Sequence, residues 1–388
     1  MNNFRYYNPT EVIFGKGTIA RLSDLVPKKT KVMMLYGGGS IKTNGVYNQV
    51  MSALKKHDVI EFGGIEANPD YATLKKAIKV VKKEGVEFLL AVGGGSVIDG
   101  TKFVSLASKY KGDSPWDILT KGAASQITSA IPLGDVLTLP ATGSEFNSNS
   151  VISRRAKRQK FSFASDLVFP KFSILDPETT YTLPVKQVRN GIVDAYMHVI
   201  EQYLTYPIGA IVQDRQAEAL LLSLIEIAPT AMKTDPCDYT GRANFMWAAS
   251  LALNSLIGRG VPQDWATHGV GHELTALYGL DHAETLAVIL PWLLRHKIDQ
   301  KREKLVQYGE RVFGIKTGKI EDRAEKAIVA TEEFFNSLGM PTTLTAHGVD
   351  PDEAAEEVKT RLNKIDFKRG EYKDVTGDAA FAILKMSR

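Results

Sequence analysis

The chain has 388 residues, 44% of them hydrophobic and 24% charged, an ordinary globular composition and enough length for two domains with their own cores. Its 48 basic and 44 acidic residues leave a formal net charge of +4, with no patterned basic face that would mark a nucleic-acid binder, and no stretch approaches the ~20 apolar residues of a membrane span. A single cysteine, Cys237, excludes an internal disulfide and any zinc site built from paired thiolates, so a metal here must use histidine and carboxylate. The opening MNNFRYYNPTEVIFGKG lacks the basic start, apolar run and cleavage site of a secretory signal, and the expected location is cytoplasmic.

Up to about residue 180, apolar runs alternate with helical patterns: KVMMLY (31–36), a helix over 45–56, VIEFGGI (59–65), a helix over 72–84, FLLAVGGG (88–95) and a helix over 97–110. Strands separated by helices of this length predict βαβ units and a parallel sheet, that is, an N-terminal α/β domain of Rossmann-like, nucleotide-binding type over 1–180. The connector LDPETTYTLPVKQ, bracketed by Pro177 and Pro184, closes it. Beyond it, 211–230, 241–257, 264–278, 283–297 and 321–338 carry helical periodicity with no strand between, which predicts an all-α C-terminal domain over 181–388.

Two turns share the pattern of an apolar strand running into Gly-Gly-Gly-Ser, at 37–40 and at 93–96. In the second, the strand is expected to end at Val92 and a helix to begin near Ser96 with Asp99 in its first turn. Glycines there let a backbone approach a ligand, and the N–H groups at a helix start favour an anion such as a pyrophosphate. The pattern is neither of the usual dinucleotide or P-loop fingerprints, and a tight connection with no ligand is the competing reading. In the first turn, NAD binders tend to place an acid against the ribose 2′-hydroxyl; Gly37, Gly38, Gly39 and Ser40 carry no charge. The basic run RRAKRQK (154–160) supplies Lys160 as a cation for a phosphate, or else is a solvated hairpin turn. VLTLPATGSEFN offers the hydroxyls of Thr138, Thr142 and Ser144.

NGIVDAYMHVIEQY puts Asp194 and His198 one turn apart on the apolar side of a helix, either as a hydrogen-bonded pair or as ligands. Three of the seven histidines, His268, His272 and His282, then crowd into HGVGHELTALYGLDH, the first two again one turn apart. One carboxylate and up to four imidazoles on core-facing helices fit a divalent transition-metal site with N/O ligands.

Together, NPTEVIFGKG, GGGSVID, LPATGSE, LDPETTYTLP, GIVDAYMHVIEQY and PQDWATHGVGHELTALYGLDHAETLA resemble the iron-containing, or group III, alcohol dehydrogenases over nearly the whole chain. MLYGGGS, SRRAKRQK and GVPQDWATH resemble most the butanol-dehydrogenase-like branch with its NADPH-dependent aldehyde reductases. The resemblance implies a dehydroquinate synthase-like architecture, NADP(H) as coenzyme, one divalent metal, Zn²⁺ or Fe²⁺, a small aldehyde or alcohol substrate, and a homodimer with no nucleic-acid or membrane partner. It makes Asp194, His198, His268 and His282 the metal ligands and His272 a proton relay near them, with a merely satisfied histidine as the alternative. Gly93, Gly94, Gly95, Ser96 and Asp99 become the pyrophosphate turn, with Asp99 also a candidate catalytic group, and Thr138, Thr142, Ser144 and Lys160 further coenzyme contacts. In NAD-preferring relatives an Asp stands at the position of Gly39. Phe146 departs from the family's small polar residue and is expected to narrow the substrate pocket; the last 40 residues match weakly. A polyol or butanol dehydrogenase using NAD, a cyclising synthase of the same fold and a catalytically silent sensor are the alternatives.

Overall fold

The computed structural model describes all residues from Met1 to Arg388. Two compact units divide it: Tyr7–Val188 with Lys233–Asn254, and Met1–Tyr6 with Arg189–Met232 and Ser255–Arg388.

The first unit is α/β. Its strands are β1 (Glu11–Phe14), β2 (Lys31–Tyr36), β3 (Asp58–Phe62), β4 (Phe88–Gly94), β5 (Leu133–Leu139), β6 (Asn149–Arg154), β7 (Gln159–Ala164) and β8 (Phe172–Leu175). Six form one parallel sheet in the order β1-β8-β5-β4-β2-β3, and β6 and β7 make a separate antiparallel hairpin. The uninterrupted apolar reading of KVMMLY and FLLAV follows from a sheet covered on both faces. Met33, Leu35, Leu89 and Ala91 pack on one side with Leu74, Ile78 and Phe103, whereas Val32, Met34, Phe88, Leu90 and Val92 pack on the other with Leu22, Val46 and Val50. The chain leaves β2 outward to β3 and returns to β4 on the opposite side, so the strand order reverses between β2 and β4. Ligands of open α/β sheets bind outside the carboxyl ends of strands at such a point. Both Gly-Gly-Gly-Ser turns sit there, because Tyr36 of β2 is paired with Val92 of β4.

The helix Tyr239–Ala252 falls within the predicted helical half yet packs in the α/β unit. Its fully buried Arg242 donates to Thr180 O at 2.5 Å, and Ser250 Oγ lies 2.5 Å from Glu145 Oε1.

The second unit is built from helices: Val185–Tyr203 from Arg189 onward, then Ile211–Ala231, Ala266–Tyr278, His282–His296, Ile298–Phe313, Ile320–Ser337, Pro351–Lys364 and Gly377–Met386. Three of these, Ile298–Phe313, Pro351–Lys364 and Gly377–Met386, add to the helices expected from periodicity. Gly279, at φ +71°, ends one helix, and a capping box of Asp281 and Glu284 opens the next, so the break between His272 and His282 is as tight as HELTALYGLDH implies. No helix is long and apolar enough to cross a membrane.

Candidate metal centre and glycine turns

Asp194 and His198 project from the helix Val185–Tyr203, His268 from Ala266–Tyr278, and His282 opens His282–His296. Asp194 Oδ1 stands 3.6 Å from His198 Nε2, 3.7 Å from His282 Nε2 and 4.0 Å from His268 Nε2. One donor atom each of Asp194, His268 and His282 falls within 4.8 Å of the others, and the His198 ring stacks on His268 with centroids 4.9 Å apart. Tetrahedral metal–ligand bonds of about 2.0–2.2 Å separate ligand atoms by roughly 3.4 Å, so small side-chain shifts bring this set onto one ion. Asp194 is buried, and its Oδ1 has no hydrogen-bond partner although it faces three imidazole nitrogens. A buried carboxylate oxygen held this way fits a cation as its partner.

Two residues absent from the sequence reading hold these ligands. Glu201, seven residues after Asp194 on the same helix, contacts His268 Nδ1 and accepts the Thr267 N–H at 2.7 Å. This fixes the ring so that Nε2 faces Asp194, the carboxylate–histidine arrangement that orients ligands in metal proteins. Burial and the nearby Asp264 raise the pKa of the Glu201 carboxyl, and the N–H groups of Thr267 and His268 oppose that rise. Trp265 takes a left-handed conformation, φ +60°, and sets its ring edge-on to His268 at 5.3 Å. His272 is half-buried, its ring 5.7 Å from that of His282.

The second glycine turn differs from the expected loop. β4 runs through Gly94, and the helix Gly95–Ala107 begins at the next residue, so Asp99 lies past its first turn. The three glycines are required by the protein's own packing: a Cβ at Gly93 would stand 2.6 Å from Val97 Cγ2, at Gly94 2.9 Å from Leu139 Cβ, and at Gly95 2.2 Å from Thr142 Oγ1. Both carboxylate oxygens of Asp99 are engaged, one by the Ser144 hydroxyl at 2.6 Å and the other by the Val151 N–H at 2.9 Å. Burial raises the Asp99 pKa, and the neighbouring Lys102 opposes that rise. Lys102, also unread in the sequence, is fully buried and donates to Ser144 O at 2.6 Å, Ser144 Oγ and Asn147 O at 2.9 Å, and Asn149 O at 2.9 Å. Burial lowers its pKa to about 8, so it remains an ammonium at neutral pH.

The first turn is the opposite case. A Cβ at Gly38 or Gly39 would meet nothing within 4 Å, and Ser40 is exposed. Glu61 on β3 is occupied by Tyr36, Tyr47 and Lys42, which hold its carboxyl below the usual range. Thr142 Oγ1 accepts the Ser144 N–H at 3.2 Å, and Ser96 Oγ accepts the Asn68 N–H at 3.1 Å; Thr138 lies buried in β5. Lys160 is half-buried at the start of β7, close enough to Asp99 to act on it electrostatically. The basic run is the turn of the β6–β7 hairpin, with the Arg154 guanidinium over the rings of Trp116 at 5.4 Å and Tyr71 at 5.6 Å. Phe146 turns its ring onto Trp247, centroids 6.2 Å apart.

An α/β unit with open glycine at its switch point is joined in one chain to a helical unit whose Asp194, His268 and His282 are grouped closely enough to hold a metal ion. The chain belongs to the iron-containing alcohol dehydrogenase family: residues 9–177 match the model of iron-containing alcohol dehydrogenase, and residues 189–387 match that of the family's C-terminal region. It is 53% identical, over the full length of both chains, to the NADPH-dependent aldehyde reductase YqhD of Escherichia coli K12. The crystal structure of E. coli K-12 YqhD superposes with a TM-score of 0.97 at 52% identity, covering 100% of this chain and 99% of that one. NADH-dependent butanol dehydrogenase A of Thermotoga maritima superposes at 0.91 with 34% identity, again covering 100% and 99%.

Proposed function

We propose that this chain is an NADP(H)-dependent alcohol dehydrogenase that works as an aldehyde reductase on short- and medium-chain aldehydes, with one Zn²⁺ or Fe²⁺ held by Asp194, His198, His268 and His282. The buried Asp194 oxygen facing three imidazoles carries the metal half of this reading. When bound, the metal supplies Lewis acidity at a carbonyl oxygen and the nicotinamide supplies a hydride. The chain's own residues do the rest. Glu201 keeps His268 in the tautomer that offers Nε2. His272, beside His282 and half-buried, delivers the proton that the product alkoxide needs. Asp99, with both oxygens engaged, acts through the turn it holds rather than on substrate. The coenzyme phosphates approach the helix starts at Ser40 and Gly95, with Lys160, Thr138, Thr142 and Ser144 as further contacts.

The choice of NADP over NAD rests on the acid-free turn 37–40. An acid introduced there is expected to lower the kcat/KM ratio of NADPH to NADH. At about 4 Å two like charges repel by ~1 kcal/mol in water-like surroundings and ~4 kcal/mol at an effective dielectric near 20, which is at least about a fivefold change in the ratio. Gly39→Asp is strained, because φ there is +105°, whereas Gly38 has no such conformation and open space around it. Gly38→Asp is therefore the cleaner variant. Lys160→Ala should weaken NADPH more than NADH, with a loss that shrinks in high salt. A wild type that already prefers NADH would replace this reading with the NAD-dependent butanol or polyol dehydrogenase.

A cytoplasmic homodimer is the assembly we favour. β1 is an edge strand of the sheet, and Phe14 and Trp247, in contact with each other, are 41% and 38% exposed. Unpaired edges with apolar neighbours invite a second copy. Light scattering should give twice the 42.7 kDa chain mass, and Phe14→Glu should shift it toward one chain; a monomeric wild type at micromolar concentration defeats the proposal.

A further inference from the structure

We infer that Asp264 and Lys301 form a buried clamp that sets the two ligand-bearing helices Val185–Tyr203 and Ala266–Tyr278 against each other, an inference that rests on the metal-centre reading above. Every hydrogen-bonding group of Asp264 is committed. Its N–H donates to Glu201 O at 2.8 Å, on the helix that carries Asp194 and His198, and its carbonyl accepts the Gly370 N–H at 3.1 Å. Its Oδ1 accepts the Ala266 N–H at 3.0 Å, closing the start of the helix that carries His268, and its Oδ2 receives Lys301 Nζ at 2.8 Å.

Lys301, on Ile298–Phe313, is 1% exposed and has two further partners: Leu204 O, just past the end of Val185–Tyr203, at 2.6 Å, and Glu371 Oε1 at 2.7 Å. One ammonium thus ties the end of the first ligand helix to the cap of the second. Glu371 balances the charge but touches neither helix through the contacts of this cluster. Glu201, whose carboxylate orients His268, has its main-chain carbonyl in the same cluster, so a displaced Asp264 moves both a ligand helix and the group that aims its ligand.

Lys301 and Asp264 are therefore positioning residues. Loss of a group that supports metal ligands from behind weakens metal binding by about 10–100-fold. The test loads metal-free wild type, Lys301→Met, Asp264→Asn and Glu371→Gln with Co²⁺ alone, measuring affinity by chelator competition and ligand geometry from the visible d–d absorption, with no coenzyme or substrate present. Lys301→Met and Asp264→Asn should bind about 10–100-fold more weakly with an altered spectrum, Glu371→Gln should match wild type, and Lys301→Arg should recover part of the loss. A folded Lys301→Met with wild-type affinity and spectrum overturns the clamp. Where Lys301→Met does not fold, the near-isosteric Asp264→Asn decides, and a wild-type spectrum there overturns it equally. His268→Ala serves as the reference: if that variant keeps its Co²⁺, the metal-centre reading has failed rather than the clamp.

Discussion

Alanine at His268 or His282 is expected to strip most of the metal and lower aldehyde turnover by about 10³-fold, while NADPH still binds within a few-fold of wild type. The magnitude follows from the several kcal/mol that a metal contributes to a carbonyl oxygen gaining negative charge, at 1.36 kcal/mol per factor of ten. The selectivity follows from placement. Both histidines belong to the helical unit, and the glycine turns belong to the α/β unit. His268 has the stronger structural tie through Glu201, and His282 is the more exposed of the pair, its side chain 24% accessible against 11%. His282→Ala should accordingly leave thermal stability nearer to wild type. His272→Ala should keep its metal and lose about 10–100-fold in turnover, as a relay rather than a ligand does. Elemental analysis of each variant, paired with coenzyme fluorescence, separates these outcomes; a His272→Ala protein as metal-poor as His268→Ala would make His272 a ligand.

Lys102→Met is expected to be the most damaging single change in the α/β unit, costing about 3–5 kcal/mol, because it removes a buried cation and leaves the buried Asp99 with only the weaker influence of Lys160 to oppose its charge. For a unit of this size that is a fall of roughly 6–20 °C in its unfolding midpoint. The carbonyls of Ser144, Asn147 and Asn149 lose their donor at the same time. Adding Asp99→Asn removes the stranded charge, so the double variant should be more stable than Lys102→Met alone. Calorimetry on the four proteins of this cycle checks both statements. A Lys102→Met midpoint within two degrees of wild type would remove Lys102 from any part in holding the segment 144–149.

The grouping of Asp194, His198, His268 and His282 was legible because its signals are local. Asp194 with His198 and His268 with His272 are one-turn pairs, and a Gly-Leu-Asp break brings His282 back within a few ångströms. Glu201 carried a signal too: seven residues from Asp194, it is a second carboxylate on that helix face. Lys102 was visible as the only cation in VIDGTKFVSLA, a helix buried on every side. The clamp was not legible, since nothing in residue 301 announces that it will meet residues 204, 264 and 371. Periodicity identified a helix near 241–257 and could not say which unit buries it; Arg242 and Ser250 choose the α/β side through partners far away in sequence. The Gly93–Gly95 run suits a ligand cradle or a tight connection, and the atoms that forbid a side chain there belong to Val97, Leu139 and Thr142, two of them on a later strand and turn that local sequence does not supply.

That crowding gives the two glycine turns different evolutionary futures. Any replacement at Gly93, Gly94 or Gly95 collides with its own neighbour, Val97, Leu139 or Thr142 respectively, so each position of the second turn is locked unless that neighbour changes with it. Gly38 has no such neighbours, and a lineage can try charges of either sign there without reopening the sheet or its helices. On the reading proposed above for the first turn, a dehydrogenase of this design exchanges one redox pool for the other through one-residue steps at a single address, while the Gly93–Gly95 turn stays frozen.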